Sequence, residues 1–121
     1  MKLQTISHSP IGYAVEAGLI AAEDAIHHEE RHMISNVIGS TSMRIDLGPA
    51  VTLAPRDTVL IATDGLFDNL LQQEIVAGIR TGLLHVSLGD IVNEARKRMI
   101  EPREGLPSKP DDLTVVAYRR K

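Results

Sequence analysis

Two short acidic motifs in this chain have the residue types and setting for chemistry. Asp64-Gly65 stands at the end of Thr58-Val59-Leu60-Ile61-Ala62-Thr63, a nearly continuous apolar run. A carboxylate leaving a buried strand is held rigidly, because ladder hydrogen bonds fix its backbone. A neighbouring glycine lets the chain turn and leaves room for a ligand. Hard cations such as magnesium or manganese take oxygen ligands in such a setting. An Asp-Gly pair is equally the signature of a hairpin turn. The residues that follow, Leu66 to Leu71, read as helical rather than as a second strand. The other motif is Asp111-Asp112, ahead of the apolar segment from Leu113 to Tyr118. Adjacent strand residues point to opposite faces, so only one of the two faces a given metal easily. Asp111 shares a face with Leu113 and Val115. Taken alone, this pair also reads as a solvated loop end.

A third pattern is rejected. His28-Glu29-Glu30-Arg31-His32 matches H-E-x-x-H, whose two histidines bind zinc from one helix face. The helix of such a site is buried behind the metal, so its x positions are small or apolar. Here they are Glu30 and Arg31, which want water, and no third ligand follows in a suitable context. His8 and His85 stand alone. There is no G-x-S-x-G nucleophile elbow, no Walker loop and no dinucleotide glycine pattern.

The elements that must position the aspartates are legible to different degrees. The length and β-branching of Thr58 to Thr63 predict a strand buried on both faces. Gln73 to Leu83 predicts a helix with Ile75, Val76, Ile79 and Leu83 on one stripe. Ser87-Leu88-Gly89-Asp90 has capping-box spacing. Leu88, Ile91, Val92, Ala95 and Met99 repeat behind it at helical intervals. Pro102 and residues 103–110 form a loop, and Leu113 to Tyr118 is the closing strand. Earlier in the chain, Lys2 to Ser7 and Ala50 to Leu53 predict short strands. Ser42 to Leu47 predicts another, with Met43, Ile45 and Leu47 on one face. Pro10-Ile11-Gly12 reads as a break, Ile20 to about His28 as a helix, and Gly39 as a turn or helix end after the apolar Met33 to Ile38. Strands, then paired helices, then a returning strand give an α+β class, with helices on one face of an antiparallel sheet.

Composition narrows the function further. The chain has 121 residues, 43% of them hydrophobic, which fits one small domain over residues 1–121 with a modest aliphatic core. A net charge of -3 gives no electrostatic footprint for nucleic acid. The few aromatic residues offer no base-stacking platform. Without cysteine, disulfides and cysteine-ligated zinc are excluded. No apolar run reaches the length of a membrane span, and Met1-Lys2-Leu3-Gln4 lacks the apolar stretch of a signal peptide. The expectation is a cytoplasmic protein with no nucleic-acid or membrane partner.

Together the segments resemble the metal-dependent serine/threonine protein phosphatases of type 2C, in their C-terminal half. Val59 to Asp68 is similar to that family's strand with S/T-D-G-hydrophobic-x-D. Pro110 to Val116 is similar to its terminal D-[ND]-x-[TS]-V-V strand, and Leu47 to Thr58 to the stretch leading into the metal strand. Thr5 to Gly18 resembles a bacterial subgroup. The resemblance implies part of a two-sheet β-sandwich flanked by helices, with a dinuclear Mg or Mn centre. By matching motif, Asp64 and Asp111 would be metal ligands. The implied reaction is hydrolysis of phosphoserine and phosphothreonine in a phosphoprotein substrate, two metals activating a water for in-line attack on phosphorus.

Departures from the pattern carry expectations too. Family members are roughly twice this length. Their first half supplies an aspartate that bridges both metals, and it has no counterpart here. The active site is therefore expected to be incomplete in this chain, with little or no activity in isolation. The chain would act either as a phosphatase module or as a non-catalytic binding or self-association domain. An uncovered sheet face points to a homodimer or to completion by another chain.

Overall fold

The computed structural model describes residues 1–121 as two compact units, Met1–Val51 and Thr52–Lys121. The second unit is built on two strands, β1 (Thr58–Ala62) and β2 (Val115–Arg119). They pair antiparallel, with Leu60 opposite Ala117 at the centre of the register. Backbone bonds continue the pairing beyond both strand ends. Arg56 N–H donates to the Arg120 carbonyl at 2.8 Å, and Thr63 N–H donates to the Thr114 carbonyl at 3.0 Å. Between the strands run α3 (Asp64–Phe67), α4 (Gln72–Ile79) and α5 (Leu84–Ile100).

The core of this unit sits on one face of the strand pair. Leu66, Leu70, Ile75, Ile79, Ile91 and Ala95 form it, and Leu60, Ala62, Val115 and Ala117 pack against it from the sheet. The i,i+4 spacing of Ile75 with Ile79 and of Ile91 with Ala95 gives each helix its buried stripe. Gly78 lets α4 and α5 approach: a β-carbon there would lie 2.6 Å from Ile91 Cγ2. One ion pair is set into the same packing. Arg98, buried on α5, donates to both carboxylate oxygens of Glu74 at 2.9 Å. Glu74 Oε2 also accepts from Leu71 N–H at 2.8 Å, satisfying an otherwise unpaired donor at the start of α4. The pair pulls the Glu74 carboxyl below the ordinary glutamate range, the Arg98 hydrogen bonds outweighing the opposing effect of burial.

The antiparallel sheet and the two helices on one face are as the sequence predicts, and the α+β class stands. Two details differ. β1 is covered on one face only: Val59 and Ile61 are exposed, as are Val116 and Tyr118 beside them on β2. The apolar run predicted two covered faces, but this two-stranded sheet has helices on one side alone. A further difference is at Ser87. α5 begins a turn earlier, at Leu84, so Ser87 lies inside it and donates to the Thr81 carbonyl at 2.8 Å.

The first unit is made of short pieces: α1 (Pro10–Glu16), α2 (Ala22–Ala25) and a 3-10 turn, Glu29–His32. Pro10-Ile11-Gly12, expected to break structure, starts a helix instead. Ser9 is the cap, its Oγ accepting from Gly12 N–H at 2.9 Å, and Pro10 occupies a first-turn position where its missing N–H costs nothing. The helix predicted from Ile20 to His28 shrinks to the four residues of α2. Gly39 does take a left-handed turn, at φ 86°.

The strands predicted at Lys2–Ser7, Ser42–Leu47 and Ala50–Leu53 do not form. A strand exists only through a ladder partner. In the middle segment an asparagine side chain takes that role: Asn36 donates to the Arg44 carbonyl at 2.9 Å and accepts from Arg44 N–H at 3.2 Å. With no sheet to face, Ile45 and Leu47 point to water, at 74% and 92% exposure.

Candidate metal centre

The end of β1 and the approach to β2 are stitched together by one threonine. Thr63 Oγ1 donates to the Asp112 carbonyl at 3.0 Å and accepts from Thr114 N–H at 3.0 Å. Next to it, Gly65 lies so close to the other segment that a β-carbon would fall 2.3 Å from the Asp112 carbonyl oxygen. Glycine is required there by backbone approach, not by turn geometry, which rules out the hairpin reading of Asp64-Gly65. These contacts bring Asp64, at the first position of α3, beside Asp111.

A third carboxylate joins them. Asp68 caps the C-terminus of α3, its N–H donating to the Asp64 carbonyl at 2.7 Å. Two residues four apart on a helical turn share a face. One oxygen from each of Asp64, Asp68 and Asp111 lies within 4.8 Å of the others. Asp112 is not in the group. Asp68 closes the S/T-D-G-hydrophobic-x-D motif, and its spacing of four from Asp64 is the sequence signal for its place beside it.

The loop between α5 and β2 adds a cation. Asn69, fully buried, donates from Nδ2 to the Gly65 carbonyl at 2.9 Å and to the Lys109 carbonyl at 2.8 Å. Its Oδ1 accepts from Lys109 N–H at 2.7 Å. The Lys109 backbone is thus clamped in both directions. Its Nζ lies 2.7 Å from Asp68 Oδ2, 3.2 Å from Asp111 Oδ2 and 3.9 Å from Asp64 Oδ2. The bond to Asp68, ahead of that to Asp111, raises the Lys109 pKa above the ordinary lysine value against the cost of burial. Asp111 is held below the usual carboxylate range, chiefly by Asp112 N–H at 2.8 Å from its Oδ1 and next by the Lys109 ammonium.

The donor set is all carboxylate oxygen, partly open to solvent, and negative enough to draw an ammonium into its middle. It fits a hard divalent cation. The histidines of H-E-x-x-H do not compete for this role. His28 caps a short 3-10 turn of which His32 is the last residue; His28 Nδ1 accepts from Glu30 N–H at 3.2 Å and His32 Nδ1 contacts the Glu29 carbonyl at 2.9 Å.

The acidic cluster thus sits at one end of a two-stranded α+β unit, and comparison with known proteins shows what this arrangement is similar to. No protein-family model matches the chain. It is 40% identical over 75 residues to a Streptococcus pyogenes protein provisionally named as a type 2C protein phosphatase, a match that spans 61% of this chain and 30% of that protein. It is similar to the solved serine/threonine phosphatase of S. agalactiae (TM-score 0.70, 26% identity), over 98% of this chain and 45% of that one. It is likewise similar to the PPM Ser-Thr phosphatase of Mycobacterium smegmatis (TM-score 0.67, 26% identity), over 97% of this chain and 46% of that one. The chain thus spans less than half the length of the relatives it matches. Its resemblance to the type 2C phosphatases holds in sequence and in fold, and it corresponds to a C-terminal portion of them.

No helix is long and apolar enough to cross a membrane.

Proposed function

We propose that residues 1–121 are one C-terminal portion of a metal-dependent phosphoserine/phosphothreonine phosphatase domain, and that Asp64 and Asp111 are its contribution to the metal centre. One observation carries this reading: the two motif aspartates, separated in sequence by both long helices, have carboxylate oxygens within 4.8 Å of each other. Magnesium or manganese, when bound, would supply Lewis-acid activation of water and neutralise charge on the phosphoryl oxygens. The chain's own part is to hold the ligands still. Thr63 fixes the strand ends, Gly65 permits their approach, and Asp112 N–H keeps Asp111 ionised and oriented.

The substrate would be a phosphoprotein. Two motif aspartates do not make the bridged dinuclear site of the family, so the isolated chain is expected to turn over p-nitrophenyl phosphate with millimolar Mn²⁺ barely above background. Calorimetric titration with Mn²⁺ tests the metal assignment apart from activity. Asp64→Asn and Asp111→Asn should each weaken binding at least tenfold. Unchanged binding in both variants would overturn it. Robust turnover abolished by Asp64→Ala would overturn the incompleteness of the site and leave the metal role standing.

A second reading is self-association, or completion by another chain, and the outward sheet face favours it. Ile61, Val116 and Tyr118 are 65%, 59% and 58% exposed there on adjacent strands. Apolar surface left in water forfeits about 25 cal/mol for each Å². A two-fold pairing is the commonest way to cover such a face. Sedimentation at micromolar concentration tests it: a dimer that Ile61→Lys dissociates is expected, and a stable monomer contradicts it.

A further inference from the structure

Resting on that metal assignment, we infer that Lys109 is a tethered competing cation: its ammonium occupies the space a divalent ion would take, and it must swing out before one binds. The geometry is specific. Nζ lies within 4 Å of an oxygen of each of Asp64, Asp68 and Asp111, 2.7 Å at the nearest. An ion held by the same oxygens would lie about 2.0 to 2.6 Å from each, and so overlap the ammonium. A unit charge a few ångströms from a divalent cation repels it strongly even at a partly wetted site. The two cannot be there together.

The arrangement is built rather than incidental. Here the fully buried Asn69 holds the Lys109 N–H and carbonyl with bonds of 2.7 and 2.8 Å. The fixed backbone delivers the side chain to one place, and its four-carbon stem is what remains free to move. Asn69 follows directly on Asp68, so one helical turn supplies both an acidic contact for the ammonium and the clamp for its backbone.

Two consequences follow. Without metal, the ammonium offsets the mutual repulsion of three carboxylates and keeps them gathered. With metal, its displacement is subtracted from the binding free energy, so this chain binds divalent ions more weakly than its donor set alone would. Lys109 is here a positioning and affinity-setting residue, not a catalytic one.

The test is calorimetric titration of Mn²⁺ into the full chain and into Lys109→Met, Lys109→Gln and Lys109→Arg, with melting temperatures recorded with and without the metal. Both neutral variants should bind Mn²⁺ about tenfold more tightly than the wild type, and Lys109→Arg should not. In the absence of metal the neutral variants should melt lower, and Mn²⁺ should raise their melting temperature more than it raises the wild type's. Equal or weaker binding by both neutral variants, with binding still lost in Asp64→Asn, would overturn the competition and leave the metal assignment intact. No binding by wild type or any Lys109 variant would overturn both.

Discussion

The two halves of this chain use similar amounts of apolar sequence to different ends. In Thr52–Lys121, hydrophobic residues fall at spacings that two strands and two helices bury together, and six of them close into one core. In Met1–Val51, Leu19, Ile34, Ile38, Ile45 and Leu47 remain exposed, and Ile11 is the one buried hydrophobic residue. That unit is held largely by polar contacts. His8 bridges Asn36 and Asp46 at 2.6 and 2.8 Å, and Arg44 stacks on Tyr13 at 5.0 Å while donating to its hydroxyl. The difference teaches that apolar patterning specifies structure only where another element is present to receive the patterned face.

The comparison can be broken most sharply at its centre. Leu66→Ala removes a fully buried side chain between sheet and helices and should cost about 3–4 kcal/mol, read from denaturant midpoints. Arg98→Met strands Glu74 and should cost roughly 3 kcal/mol, at the low end for breaking a buried pair because Glu74 keeps a third of its exposure. Gly65→Ala forces a β-carbon toward the Asp112 carbonyl and should cost about 1–3 kcal/mol. It should also weaken Mn²⁺ binding, since the same approach aligns Asp64 with Asp111.

Acid sharpens the picture further. Glu74 titrates lower in the folded chain than the value of about 4.3 expected unfolded. Its contribution is full above that unfolded value and is lost as pH falls through the lower folded one. The stability gap between wild type and Arg98→Met should therefore be constant from pH 7 to 5 and shrink below about pH 4. At the other extreme, Leu47→Ser in the first unit should change stability by less than about 0.5 kcal/mol, because Leu47 is already 92% exposed. A cost like that of Leu66→Ala would mean the first unit has a core the structure lacks.

Much of the second unit could be read from its residues. β-branching marked β1, the 3.6-residue stripe marked α4 and α5, and the paired motifs marked Asp64 and Asp111. The remaining features depend on which partner each residue meets in the fold. The length and β-branching of Thr58 to Thr63 predict burial on both faces of β1, but they cannot say how many layers the sheet receives. Ser87 had the chemistry of a cap, but its hydroxyl found the Thr81 carbonyl instead. Lys109 carries no motif of its own, and only the Asn69 clamp sets its ammonium among the carboxylates. In the first unit, alternation at Met43, Ile45 and Leu47 mimicked a strand, while an asparagine side chain took the hydrogen bonds a neighbour would have made.

The central claim is that the cation site lies at the end of β1 and nowhere among the acidic residues of the first unit, which carries Glu23, Asp24, Glu29 and Glu30 in its own short turns. Paramagnetic broadening by substoichiometric Mn²⁺ in an amide NMR spectrum tests it most directly. Broadening should begin at residues 63–69 and 108–113, and should vanish there in Asp64→Asn. Broadening that begins at residues 22–32, or that persists around Asp64 and Asp111 after that substitution, would contradict the account.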